Sequence, residues 1–194
     1  MATLPLFPPP PLQGPPPFSI VKEFETPTAT KEVAKPERPK EKRLICKGCS
    51  QNESIALDFF QDAGIKDKNA LAAIMGNIKQ ESMFHANVCE GGSRVSYHSC
   101  WGGYGLIQWT SSSRYYGLGD FARKYGGSPS SIETQLRYLV NEEQWRKIED
   151  RMKTPGRSVY DYMNTAYSWI GWGIHGARTH YAHEYLNKFE TVLV

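Results

Sequence analysis

"NALAAIMGNIKQESMF", residues 69–84, decides how this chain folds. Leu71, Ile74 and Ile78 recur at steps of three and four, the spacing of one face of an α-helix. One more step of three reaches Glu81. Asp67 just upstream is a suitable N-cap, so the spacing predicts a helix from there through Ser82. A carboxylate that continues an apolar stripe is partly withdrawn from water. Burial disfavours its charged form and raises its pKa, which is what a general acid needs near neutral pH. The plainer alternative is a solvated glutamate in the last turn of a helix.

Working outward, "ESIALDFFQDAG" places apolar residues at 55, 57, 59 and 60 and ends on Gly64, a residue suited to the position after a helix. Residues 85–113 are rich in glycine and serine and read as a long irregular segment, with a possible short hairpin near 94–108. Irregular segments of this length inside a compact domain usually carry function. Further helices are expected at 115–125 and 131–153, the latter stopped by "TPG" at 154–156. "SVYDYMNTAYSWI" restarts a helix, "GWGIHG" interrupts it, and "ARTHYAHEYLNKFE" closes the pattern. The chain is mainly α.

The composition changes near residue 45. Eleven of the 13 prolines lie before residue 40, while all five tryptophans lie after residue 100. This contrast divides the chain into an extended proline-rich arm, residues 1–45, and a folded domain, residues 46–194. Residues 1–18 have polyproline II composition, and the charged stretch that follows, ending in "KPERPKEKR", has the features of a segment that folds on a partner. The 23 basic and 20 acidic residues are interleaved and leave a net charge of +3. That pattern argues against a nucleic-acid-tracking surface. No apolar run is long enough to span a bilayer. "MATLPLFPPPPLQGPPPF" lacks a basic region and a helical apolar core, so it is expected not to be a secretory signal. Synthesis in a cytoplasm is the corresponding expectation.

"GNIKQESMF" followed by "GGYGLIQW" resembles the paired signature of the goose-type lysozyme and lytic transglycosylase superfamily. The pattern "AAIxGNxxQES", then "YGxxQW", an arginine at 114 and "QLxxLxxE" at 135–142 is most similar to the phage tail lysozyme domain, and "ARTHYA" at 177–182 resembles its C-terminal helix. The resemblance covers about residues 53–190. It implies a lysozyme-like helical domain that cleaves the β-1,4 bond between N-acetylmuramic acid and N-acetylglucosamine in peptidoglycan glycan strands, with Glu81 as the general acid. It implies groove positions at Ser82, Phe84, Tyr104, Gly105, Leu106, Gln108, Trp109, Arg114 and Glu142. Aromatic faces suit sugar C–H surfaces and a glutamine suits hydroxyls and amides. It further implies a virion-associated enzyme, its arm docked on a tail or baseplate structural protein. Two carboxylates are usual in glycosidases. Glu90 or Asp120 opposite Glu81 would make an inverting hydrolase, the preferred expectation; with neither, Glu81 serves as acid and then base, and the product is a 1,6-anhydro sugar. Glu142 matches the pattern but could instead anchor Arg114 or position Gln135.

Four cysteines stand outside the resemblance. "CKGC", Cys46 and Cys49, has knuckle spacing, and Cys89 and Cys100 flank the insertion between the two signatures. A cytoplasmic origin favours a structural Zn²⁺ on all four, with His85 or His98 able to replace one ligand. A Cys89–Cys100 disulfide, a Cys46–Cys49 redox pair or free thiols are the alternatives. No catalytic cofactor is expected. His175, His180 and His183 form no carboxylate–histidine metal motif and read as surface residues. Two rivals to the enzyme remain: a structural tail protein that binds cell wall without cutting it, and a free endolysin, which would have no need of the arm.

Overall fold

The computed structural model describes residues 41–194; the arm expected over residues 1–45 therefore lies outside the described residues, except for its last five positions. Those positions belong to the domain. Strand β1, Lys42–Cys46, pairs antiparallel with β2, Phe189–Leu193, in the register Lys42↔Leu193 to Cys46↔Phe189. Five residues with one inward-facing apolar side chain, Leu44, give little alternation to read, and the partner strand is at the far end of the sequence. The side chain of Gln61 completes the other edge of β1. It donates from Nε2 to the Leu44 carbonyl at 2.9 Å and accepts from the Leu44 N–H at 2.7 Å, satisfying backbone groups that a bare edge would leave open.

Eight α-helices follow one another among the described residues. They are α1 Gln51–Asp62, α2 Lys68–Ser82, α3 Ser112–Tyr125, α4 Ile132–Asn141, α5 Glu143–Arg146, α6 Glu149–Lys153, α7 Val159–Ile170 and α8 Arg178–Lys188. The start signals are chemical. Ser50 and Glu53 form a capping box on α1, and Ser158 and Asp161 form another on α7. Asp67 accepts from the N–H groups of Asn69 and Ala70 at 2.8 and 3.1 Å and starts α2. The expected single helix over 131–153 is three pieces. Glu142 adopts extended backbone, φ −70° and ψ 148°, between α4 and α5, and its carboxylate is buried against Arg114. Propensity would have carried the helix through; the ion pair turns it. The expected hairpin near 94–108 is reduced to isolated bridges, Val88↔Arg94, Cys89↔Tyr104 and Tyr104↔Trp109, around a single 3₁₀ turn, Tyr97–Ser99.

The four cysteines form two pairs. Cys46 is bonded to Cys49 and Cys89 to Cys100, each pair with its Cα atoms 5.5 Å apart. The thiols are used two by two in this structure. Among the described residues no group of three or more His, Cys, Asp or Glu side chains is placed to share a metal, His85 and His98 included. The bridge between Cys89 and Tyr104 folds the insertion back and brings Cys100 to Cys89.

Helix α2 runs through the centre. Leu71, Ile74 and Ile78 are fully buried, as the apolar stripe requires, but so are Ala70, Ala72, Ala73, Met75, Gly76 and Asn77. The helix is enclosed on nearly every side, with α7 and α8 against it. Gly76 sets the closeness of α8. A Cβ built there would stand 2.6 Å from the Arg178 carbonyl oxygen and 2.7 Å from the Ala182 nitrogen, both backbone atoms that can yield only if the helix moves. Gly76→Ala is therefore expected to destabilise the domain by about 1–3 kcal/mol, read in thermal unfolding as a Tm lowered by roughly 3–10 °C. An unchanged Tm would show that the helices do not meet this closely.

Candidate active site

Glu81 is in the last turn of α2, at the mouth of a cleft of about 380 Å³ lined by Gln108, Thr110, Trp172, Ile174 and Arg178 among others. Its side chain retains 15% exposure, against 5% for that of Arg178. The Arg178 Nη2 donates to Glu81 Oε1 in a short ion pair. The same guanidinium donates to the carbonyls of His175 at 3.1 Å and Ile174 at 3.4 Å and lies 4.9 Å from the centre of the Trp172 ring. One side chain thus ties the carboxylate to the 171–177 loop that walls the cleft. Gln80, the neighbour of Glu81, fixes the same loop by accepting from the Ala177 N–H at 2.8 Å.

Burial pushes the Glu81 carboxyl above the usual carboxylate range, and the Arg178 charge opposes that push without cancelling it. Arg178 is shifted down, again chiefly by burial. Both directions have one cause, removal of two charges from water, which attraction between them repays only in part. Glu81 Oε2 accepts no hydrogen bond from the protein yet is not sequestered, so it is the oxygen that meets the cleft.

The opposite wall comes from the "GGYGLIQWT" segment. Three non-glycine residues among those described have left-handed backbone, Met83, Phe84 and Gln108 at φ 50°, 61° and 51°, and all three border Glu81 in sequence or in the cleft. Such backbone is held only where the surroundings enforce it. Met83 and Phe84 reverse the chain after α2, so that Ser82 Oγ donates to the Leu106 carbonyl at 2.9 Å and Phe84 enters the core against Tyr185. Gly105, at φ 73°, passes over Gln135, whose side chain a Cβ would meet at 2.4 Å. Gln135 in turn accepts from Leu106 N–H at 2.8 Å and donates to the carbonyls of Ala86 and Pro129 at 2.6 and 2.7 Å. Three loops are held in register by one buried amide.

The structure divides the sequence-derived site residues into two kinds. Glu81 and Gln108 line the cleft. Tyr104, Leu106 and Trp109 are fully buried, and Phe84 nearly so; their side chains build the floor from beneath and do not face a ligand. Ser82 is a clamp. Arg114 Nε and Nη2 donate to the two oxygens of Glu142, both at 2.8 Å, which makes this pair the anchor of the α4–α5 break. Glu90 and Asp120 lie elsewhere: Glu90 accepts from the Gly103 N–H at 3.0 Å and Asp120 from Arg123 at 2.7 Å, and neither borders the Glu81 cleft. Arg178 and Trp172 are the cleft residues that sequence reading missed. Both occur in stretches already marked out, "ARTHYA" and the "GWGIHG" interruption, but nothing local says that an arginine at the start of one helix faces a glutamate at the end of another.

Arg178→Gln removes the cation that favours ionised Glu81. In a carbon-detected NMR titration the Glu81 pKa should therefore rise further. A fall would show that burial does not control this carboxyl.

A family model described as phage tail lysozyme matches residues 51–189, from the first helix to the last strand. A search of curated proteins finds no match.

Proposed function

The chain belongs to the phage tail lysozyme family, and from that premise we propose that it cleaves the β-1,4 bond between N-acetylmuramic acid and N-acetylglucosamine, with Glu81 as the general acid. Lysozyme-like degradation of peptidoglycan follows from the family; the residue and the bond are the further step. The observation that carries it is the partly buried Glu81 at the cleft, its carboxyl raised by desolvation and one oxygen open.

In this reading Glu81 Oε2 holds a proton and gives it to the bridging sugar oxygen as the C1–O bond breaks. The resulting carboxylate, steadied by Arg178, then takes a proton from the nucleophile that closes on C1. Gln108, whose Nε2 is held by the Gly105 carbonyl at 3.0 Å, offers its amide oxygen to the sugar's hydroxyls and N–H groups, and Trp172 offers its ring at the wall. The preferred expectation of an inverting pair with Glu90 or Asp120 is set aside, since both carboxylates are engaged outside the cleft. Glu81 serves twice.

Glu81→Gln keeps the shape and an acceptor for Arg178 but cannot donate and regain a proton in turn. Turbidity clearing of cell walls should fall by about 10²–10⁴-fold while wall binding persists. No clearing by either form would favour the wall-binding structural protein. Mass spectrometry of the cut strands identifies the nucleophile: anhydro ends mean the sugar's own C6 hydroxyl, reducing ends mean water. The docking role expected of the arm at 1–45 is given to residues 1–40, because strand β1 begins at Lys42. A chain beginning at Glu41 should cleave glycan normally yet fail to enter the phage particle; a folded truncate without activity would contradict this division.

A further inference from the structure

Trp101 is 99% exposed and Tyr116 is 65% exposed. A tryptophan wholly in water gains nothing for the fold, and several large apolar groups together in water commonly mark a binding surface. The two rings border one pocket of about 290 Å³, with Glu90, Thr110 and Ser112 supplying a carboxylate and two hydroxyls. They also border an adjoining pocket of about 540 Å³ in which Tyr97 and Tyr115 stack at 4.5 Å between ring centres.

This surface adjoins the Glu81 cleft at one residue. Thr110 lines both the cleft and the Trp101 pocket. Gly103 lies beneath the junction: a Cβ there would stand 3.0 Å from Thr110 Oγ1 and 3.1 Å from Gln108 Oε1. Gly102 and Gly103 pack against the side chains of Glu90, Gln108 and Thr110, which brings together three polar groups that line the two sites. The Cys89–Cys100 bond fixes the residue that precedes Trp101, and Tyr115 OH, donating to the Cys100 carbonyl at 3.3 Å, ties the same point to α3. The platform is held in place before anything binds, which lowers the cost of binding.

We propose that Trp101 and Tyr116 form a distal subsite for the same glycan strand that Glu81 cuts, gripping sugar rings several units from the cleaved bond. A flat indole stacks on sugar C–H faces, and the neighbouring carboxylate and hydroxyls accept and donate to sugar hydroxyls and amides. The subsite extends the muramidase reading, and its occupant is chosen by adjacency to that cleft. It makes the enzyme a reader of strand length.

The test uses the full chain and three substrates: peptide-free glycan strands, strands that carry stem peptides, and a short tetrasaccharide. In a Glu81→Gln background, Trp101→Ala should weaken co-sedimentation with cross-linked glycan beads by about threefold to tenfold, and Trp101→Phe should restore most of it. In the active enzyme, Trp101→Ala should raise KM on long strands by a similar factor, with a loss that shrinks as the strand shortens. Equal losses on long strands and on the tetrasaccharide, unchanged binding, or weakening seen only when stem peptides are present would each overturn the subsite. If the wild type cuts none of the substrates while Trp101-dependent binding to bare glycan remains, the subsite stands and the catalytic reading fails.

Discussion

The pair between partly buried Glu81 and buried Arg178 is the constraint on which the cleft depends. Taking two charges from water is costly, and in this chain the cost is accepted at the point where the end of α2 meets the start of α8. If Arg178 were absent, the carboxyl would be free to swing and the 171–177 loop would lose its bonds to the guanidinium and keep its bond to Gln80. If Glu81 were absent, a buried guanidinium would be left with carbonyls alone, a strongly unfavourable arrangement. The pair therefore couples the chemistry to the wall of the site. It also holds two opposing influences on one proton, with burial prevailing and the nearby charge setting the limit.

The rest of the domain can be seen as the frame for that pair. The lack of a side chain at Gly76 lets α8 settle on α2. Ser82 fastens the end of α2 to the Leu106 carbonyl, and Gln135 fastens Leu106 to two further loops. Arg114 and Glu142 hold the break after α4. Ser82, Gln135 and Glu142 are polar, buried and paired, which is why the irregular 85–113 segment can be as fixed as a helix despite having so little regular hydrogen bonding. The family's sequence signature therefore records a scaffold more than a set of sugar contacts.

That distinction explains what could be read from the sequence. The α2 helix, its Asp67 cap and the inward position of Glu81 follow from local spacing, and the motif order was specific enough to imply the family and the lysozyme-like helical fold. The roles of Tyr104, Leu106 and Trp109 were not legible, because an aromatic or apolar residue in a glycine-rich loop looks the same whether it faces a ligand or the core. The β1–β2 pairing and the Glu81–Arg178 contact join positions more than ninety residues apart, and no periodicity reports them. The cysteine spacing was compatible with metal or disulfide chemistry, and the approach of Cys89 to Cys100 depends on the fold of the insertion, which no local signal reports.

The most direct measurement is the pH dependence of kcat/KM on glycan strands, for the wild type and for Arg178→Gln. A general acid works while protonated, so activity should hold below the Glu81 pKa and fall as pH rises through it. With the guanidinium removed, the falling limb should move to higher pH, even if the overall rate drops. A falling limb that stays in place, or one that moves to lower pH, would mean that the proton delivered to the sugar is not the one on Glu81.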